Sequence, residues 1–374
     1  MSTRTVVIVG AGLAGSRCAE TLRSEGFDGR IVLIGEEQTP PYERPALSKE
    51  FLAGDAGRLE LRPPDFWDEQ EIELVLGRRI ASVDSIGVKW DALVLATGAR
   101  ARRLPSLPDG VHTLRTVADA EALRAELDVG GRLAIIGAGF IGGEVASTAR
   151  KLGVDVTLID MAEAPLERVL GREVGALLAA RYRANGVDLR LGSGLVRFLT
   201  AANGRVRCLE LTDGSEVACD TALLAIGAEP AGELAAADRA GIPTDGCGRT
   251  RVPNVYACGD VASAWRSSVS RQVRVEHWTS AAGQAAAVAR AILGREAPYD
   301  DLPYFWSDQF GLRLQHVGHA EEWTAVEIEG EPDSFAVRYV ERDGTLVAAL
   351  LANRPREVGP IRRELAAAAL EEAA

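Results

Sequence analysis

At 374 residues the chain is long enough for two or three domains, each with its own core. Hydrophobic residues at 47% and charged residues at 26% describe a globular chain and exclude a disordered one. A net charge of −12 argues against a general binder of nucleic acid or of an anionic membrane surface.

The N-terminal segment reads as strand, glycine turn, helix, strand. Thr5–Val9 is β-branched, 16–24 is helical and Arg30–Ile34 is a second strand. A segment rich in Pro and Arg, 40–64, leads to an apolar strand at 92–96 that ends in Thr97-Gly98. The opening plan then returns, with a strand at 133–136, a helix at 143–152 and a strand at 154–159. Two such units in one chain imply two dinucleotide folds. A strand at 221–226 ends in Ile226-Gly227, and a turn-rich stretch runs on to Val255-Tyr256-Ala257-Cys258-Gly259-Asp260. An Ala-rich helix at 279–293 precedes a region of short strands, among them 335–340 and 346–351. The last helix, 361–373, alternates Arg and Glu with Ala and reads as surface structure or a frayed tail.

No stretch approaches the roughly 18–20 apolar residues of a membrane span. The apolar run 6–9 meets glycine too soon for a secretory core, so a cytoplasmic protein is expected. The five cysteines, Cys18, Cys208, Cys219, Cys247 and Cys258, contain no C-x-x-C pair. Cys208 and Cys219 should face each other across a hairpin turned at Asp213-Gly214. A two-residue loop would set them at a hydrogen-bonded pair, where a disulfide fits poorly. All five read as reduced structural thiols.

The first chemical motif is Gly10-Ala11-Gly12-Leu13-Ala14-Gly15. Its glycines, Gly10, Gly12 and Gly15, allow a tight turn, close backbone approach to a pyrophosphate and a helix packed on a strand. The phosphates then meet the free N–H groups of a helix N-terminus. Glu36 follows the second strand, placed for ribose hydroxyls. The second motif is Gly137-Ala138-Gly139-Phe140-Ile141-Gly142, with Asp160 closing its next strand. An acid there accepts from a ribose diol and repels a 2′-phosphate, which favours NADH over NADPH, although Arg168 and Arg172 lie nearby. As the alternative, Asp160 is an ordinary helix cap. Gly-Asp alone is a common turn, but Gly259-Asp260 stands downstream of both glycine loops and of Ala96-Thr97-Gly98, where a strand ending in Gly-Asp can place a carboxylate on the ribityl chain of an extended FAD and so distinguish the loops.

Longer strings carry a resemblance. They are Pro41-Tyr42-Glu43-Arg44-Pro45-Ala46-Leu47-Ser48-Lys49, Leu95-Ala96-Thr97-Gly98, Ala257-Cys258-Gly259-Asp260, Arg274-Val275-Glu276-His277-Trp278 and Phe305-Trp306-Ser307-Asp308-Gln309. With them the chain resembles, over roughly residues 5–320, the FAD-dependent ferredoxin reductases of oxygenase systems. That group contains putidaredoxin reductase, rubredoxin reductase and the reductases of aromatic dioxygenases. The resemblance implies an α/β fold: two Rossmann-like dinucleotide-binding domains of the glutathione-reductase type plus a small α+β C-terminal domain. The expected boundaries are 1–108 and 228–302 for FAD, 109–227 for NADH and 303–374 for the last domain.

The resemblance further implies that the first loop binds one FAD and the second NADH. Ala14, Glu36, Lys49, Ile80, Arg132, Asp260 and Trp278 are then FAD contacts, with Arg44 close by and Thr97-Gly98 at the strand end. Gly137, Gly139, Ile141, Gly142, Glu144 and Asp160 serve NADH. Lys49 stands out on its own account, as one of three lysines among 42 basic residues. The family pattern pairs it with Glu144 beside the flavin ring. Trp306 is either a core aromatic or a ring near the flavin, where electrons leave.

The implied activity passes electrons from NADH through FAD, one at a time, to a [2Fe–2S] ferredoxin or rubredoxin that serves an oxygenase. Arg271, Arg274, Arg313, Arg354, Arg356, Arg362 and Arg363 are candidates for a basic docking rim. The protein is expected to be a monomer or homodimer. His316 and His319 form an H-x-x-H without a third ligand, so no metal is expected. Two other readings remain. An NADH oxidase or a disulfide or peroxide reductase on the same fold is one, but the latter needs a redox Cys that the 40–52 region lacks. A flavin- and NADH-binding signalling or interaction protein is the other. Relative to the family, the chain is shortened between Ile80 and Trp90 and in its C-terminal domain.

Overall fold

The computed structural model describes residues 4–372, apart from 56–58, 268–269 and 320–321. Contacts divide the chain into two compact units. One comprises 1–43, 59–100 and 229–305, and the other 44–58, 101–228 and 306–374.

The first unit is built on a five-stranded parallel sheet. In spatial order its strands are Val255–Ala257, Ala92–Leu95, Thr5–Val9, Arg30–Ile34 and Ile72–Val75. Its strands read as continuous apolar runs because both faces are covered. Val6 and Ile8 join one buried cluster with Leu33, Val94 and Val288. Their neighbours Val7 and Val9 join another with Val32, Ile34 and Leu93. The helices Leu13–Ser24 and Trp278–Ile292 pack together on the first of these faces.

The second unit repeats this architecture. Its parallel sheet runs Val111–His112, Thr221–Leu224, Arg132–Ile136, Asp155–Asp160, Asp188–Leu191, with the helix Phe140–Lys151 after the second glycine loop. It also holds an antiparallel three-stranded sheet, Leu195–Thr200, Val206–Leu211 and Glu216–Ala218. The C-terminal sheet has five strands in the order Tyr304–Gln309, Leu312–Gly318, Leu346–Ala352, Ser334–Val340, Ala325–Glu331.

Two expectations are corrected and one open alternative is decided. Both glycine-loop helices begin three residues early, at Leu13 and Phe140, because Gly12 and Gly139 are themselves the extended N-cap residues. The 206–218 hairpin has a three-residue loop, 212–214: Leu211 pairs with Ser215 and Cys208 with Ala218, so Cys219 lies one residue out of register. All five thiols are free and buried. The last helix, Val358–Glu372, takes the first of its two expected forms, surface structure, since Ile361 and Leu365, one turn apart, are buried and the helix lies on the strands Leu346–Ala352 and Leu312–Gly318. Position 373 lies outside the described residues.

Candidate functional site

In the first unit, the expected site residues gather at the carboxyl ends of the parallel strands, where open α/β sheets hold ligands. Gly10–Gly15 follows Thr5–Val9, Thr97-Gly98 follows Ala92–Leu95, Gly259-Asp260 follows Val255–Ala257 and Glu36 follows Arg30–Ile34. Gly10 has φ +114°, and a Cβ there would lie 2.1 Å from the Ala96 carbonyl oxygen. A Cβ on Gly15 would lie 1.9 Å from the Gly10 oxygen. Gly12 differs, because its missing Cβ faces open space and no side chain caps the helix that it starts. Gly259 sits against Ala14, where an added Cβ would come within 2.8 Å of the Ala14 methyl. Thr97 Oγ1 donates to the Ala231 carbonyl at 2.7 Å.

Trp278 opens its helix and lines a cavity of about 210 Å³ with Leu13, Ser16, Arg17, Glu20 and Arg62. Ser16 Oγ is buried there without a protein partner. An uncapped helix N-terminus, open space at Gly12 and an orphaned hydroxyl fit a bound dinucleotide phosphate.

Two expected FAD contacts have side chains already engaged within the protein. The Ile80 side chain is buried in the core with Val9 and Leu95, which leaves only its backbone for a ligand. Arg132 begins the strand that leads to the second glycine loop, and so stands at the opposite end of that strand. Its guanidinium is held bidentately by Asp220 at 3.0 Å. The side chain of Glu36 is 60% exposed, 3.6 Å from Arg79.

The second loop copies the first. Gly137 has φ +109° and abuts the Ala225 oxygen, Gly142 abuts the Gly137 oxygen, and Gly139 faces open space at an uncapped helix start. Asp160 caps the loop itself rather than the next helix. One carboxylate oxygen accepts from Ala138 N at 2.6 Å and the other from Ala162 N at 2.9 Å. Each oxygen keeps a lone pair for a ribose hydroxyl. Ile141 is exposed beside the loop.

Lys49 and Glu144 meet within this second unit. Arg44–Ser48 is a 3-10 turn, and Arg44 Nη1 donates to the Arg115 carbonyl at 2.7 Å. Lys49 Nζ donates to Glu144 Oε2 at 2.7 Å, and Ser48 Oγ donates to the same oxygen at 2.5 Å. Thr148, one turn along from Glu144, donates to the Ser48 carbonyl at 2.8 Å. Three further residues, missed in the sequence, complete the surroundings. Ser307 Oγ donates to Glu144 Oε1 at 2.6 Å and accepts from Gln309 Nε2 at 2.8 Å, while Tyr182 OH donates to Gln309 Oε1. The available signal was alternation. In Tyr304–Gln309 the buried side chains are Phe305, Ser307 and Gln309, and Trp306 is half-buried on the other face.

Burial raises every cysteine thiol, Cys219 and Cys258 up to about 12. Such thiols are poor redox nucleophiles. Among the rim arginines, Arg274 pairs with Glu276, Arg313 lies 3.5 Å from Asp308 and Arg354 lies 3.5 Å from Glu329. His316 is buried, its ring 6.0 Å from that of Tyr339. Among the described residues no group of three or more His, Cys, Asp or Glu is arranged to hold a metal, and no helix is long and apolar enough to cross a membrane.

Residues 4–285 match the pyridine nucleotide-disulphide oxidoreductase family and residues 304–374 the reductase C-terminal domain. The chain is 39% identical to the anthranilate 1,2-dioxygenase system ferredoxin--NAD(+) reductase component of Burkholderia cepacia, over 99% of this chain and 96% of that one. It is 38% identical to the biphenyl dioxygenase system ferredoxin--NAD(+) reductase component of Paraburkholderia xenovorans, over 94% and 91%. Among solved structures, the covalent putidaredoxin reductase–putidaredoxin complex matches with a TM-score of 0.93 and 34% identity, covering 98% of this chain and 93% of that one. The chain therefore belongs to the pyridine nucleotide-disulphide oxidoreductase family and, within it, to the flavin-dependent ferredoxin–NAD(+) reductases of oxygenase systems.

Proposed function

We propose that one FAD occupies the first glycine loop, NADH the second, and that a small iron–sulfur protein takes the electrons. The observation that carries this reading is the duplicated loop. Each places an uncapped helix N-terminus behind a glycine whose missing Cβ faces open space. When bound, FAD accepts a hydride from NADH and releases electrons singly.

The protein's own part is binding and orientation. Gly10, Gly12, Ala14 and Gly15 bring backbone N–H groups to the FAD phosphates, Asp260 takes the ribityl chain, Glu36 the ribose, and Thr97-Gly98 and Trp278 border the cofactor. Gly137, Gly139, Ile141 and Gly142 receive the NADH pyrophosphate, and Asp160 adds a ribose acceptor. Lys49, held by Glu144, offers an ammonium beside the flavin ring, with Arg44 near it. Segments 1–108 and 228–302 then serve FAD, 109–227 NADH, and 303–374, with Trp306, the side where electrons leave. A [2Fe–2S] ferredoxin is the favoured acceptor and rubredoxin the second. A cytoplasmic setting, in which thiols stay reduced, suits five unpaired cysteines. The buried thiols disfavour a disulfide-reductase reading.

The test compares acceptors under steady-state turnover with NADH. Rapid reduction of a [2Fe–2S] ferredoxin, with oxygen consumed slowly, is the expected result. Rapid oxygen consumption with an inert ferredoxin would make the protein an oxidase.

A further inference from the structure

Glu144 is buried, yet it receives three donors from two separate stretches of chain. Ser48 and Lys49 reach Oε2 from the 44–49 turn, and Ser307 reaches Oε1 from the strand Tyr304–Gln309. Ser307 is fully buried and Gln309 nearly so. A polar pair placed in a core is costly unless every group is satisfied, and an apolar pair would dock a strand on a helix as well. The pair therefore calls for a reason beyond packing.

The hydrogen bonds share one direction. Burial first, and the Glu144 charge second, push the Tyr182 hydroxyl far above its ordinary range, so it remains a donor. It donates to the amide oxygen of Gln309, and the amide nitrogen of Gln309 donates to Ser307. The single proton of Ser307 is left for Glu144. Reversing any link would set two donors or two acceptors face to face. Close packing holds the chain in place, since a Cβ on Gly143 would come within 2.6 Å of both Gln309 Oε1 and Tyr182 OH.

We propose that Ser307, Gln309 and Tyr182 are positioning residues for the reductase reaction: they keep Glu144 an acceptor and so fix the Lys49 ammonium at the flavin ring. The C-terminal strand thereby helps to set the charge under which flavin is reduced. The inference rests on the proposed placement of Lys49 beside the flavin. Facing Glu144, the titratable groups among the described residues are Lys49 from the turn and Tyr182 from the helix Glu167–Ala184; the strand supplies only uncharged Ser307 and Gln309.

The experiment is anaerobic flavin reduction by NADH, followed across pH, in FAD-loaded wild type, S307A, Q309L and Y182F. A carboxylate that loses a donor holds its charge less well. The acidic limb of the rate profile should therefore move up in S307A, which removes a donor outright, and by less in Q309L and Y182F, which only release the orientation of the Ser307 proton. The shift should be largest in S307A, about one pH unit, with a rate roughly fivefold lower at the wild-type midpoint and about tenfold lower well below it. In an E144Q background S307A should add no further shift. Wild-type pH profiles in S307A and Q309L, or an equal S307A shift with and without Glu144, would overturn the proposal even if melting temperatures fell. If wild type itself were not reduced by NADH, the functional reading would fail first and this inference with it.

Discussion

Gly143 and Gln309 approach so closely that a Cβ on the glycine would lie 2.6 Å from the glutamine amide oxygen. That oxygen is already the acceptor for Tyr182, so it has little freedom to move aside. Gly143→Ala should cost about 1–3 kcal/mol of stability through overpacking. Denaturant melts of the FAD-loaded protein would check this. A loss smaller than about 0.5 kcal/mol would mean that the contact relaxes easily.

Lys49 is 13% exposed and its partner Glu144 5%. Removing one member of a largely buried pair leaves the other charge short of a counter-ion. Lys49→Ala should therefore destabilise the protein by roughly 3 kcal/mol and slow flavin reduction. Flavin absorbance and melting temperature, read on the same sample, check both effects. An unchanged reduction rate would remove Lys49 from the flavin site.

Gly139 and Gly142 belong to one motif but should fail differently. Gly139→Asp meets open space and supplies a side-chain cap, so stability should hold or rise slightly. Its negative charge would occupy the pyrophosphate position, and reduction by NADH should be lost while FAD is retained. Gly142→Ala, with its Cβ 1.9 Å from the Gly137 oxygen, should disrupt the loop itself. Thermal melts beside NADH titrations of the two variants separate the cases.

Much of this was legible because it is local. The two glycine loops, their strands and the acids Glu36 and Asp160 lie within short stretches whose residue types answer a backbone need. Lys49–Glu144 was legible only through the resemblance, since nothing near Lys49 in sequence indicates its partner. The roles of Ser307, Gln309 and Tyr182 are not legible in the sequence, because their partners are distant in the chain. The Cys208–Cys219 register failed on a single residue, because a three-residue loop shifts every opposed pair.

Desolvation raises the thiols of Cys219 and Cys258 to about 12 in the folded chain, against about 8.5 when unfolded. Neutral thiol is favoured in the fold, so this stability is fully present below about pH 8.5. It is lost as pH climbs toward 12, on the order of 1 kcal/mol per pH unit for each fully buried thiol. Urea melts at successively higher pH should show the decline. At neutral pH, thiol reagents should label the cysteines only after denaturation, and rapid labelling of the native protein would contradict the buried placement.

Asp160 bears on nucleotide choice. Asp160→Asn keeps the outline of the side chain and removes its charge, and it also sets an amide NH2 against one of the two backbone N–H groups that the carboxylate accepts. Discrimination against NADPH should fall about tenfold, with Arg168 and Arg172 free of the opposing carboxylate field. The ratio of kcat/KM for the two nucleotides measures this. An unchanged ratio would assign Asp160 to loop geometry alone.

The most direct measurement is a single turnover in the absence of oxygen. FAD-loaded protein is mixed with one equivalent of NADH and then with oxidised [2Fe–2S] ferredoxin, while flavin absorbance is followed. The account predicts rapid bleaching in the first mix and rapid recovery in the second, with two ferredoxins reduced per NADH. Slow bleaching, or bleaching that ferredoxin cannot reverse, would contradict it.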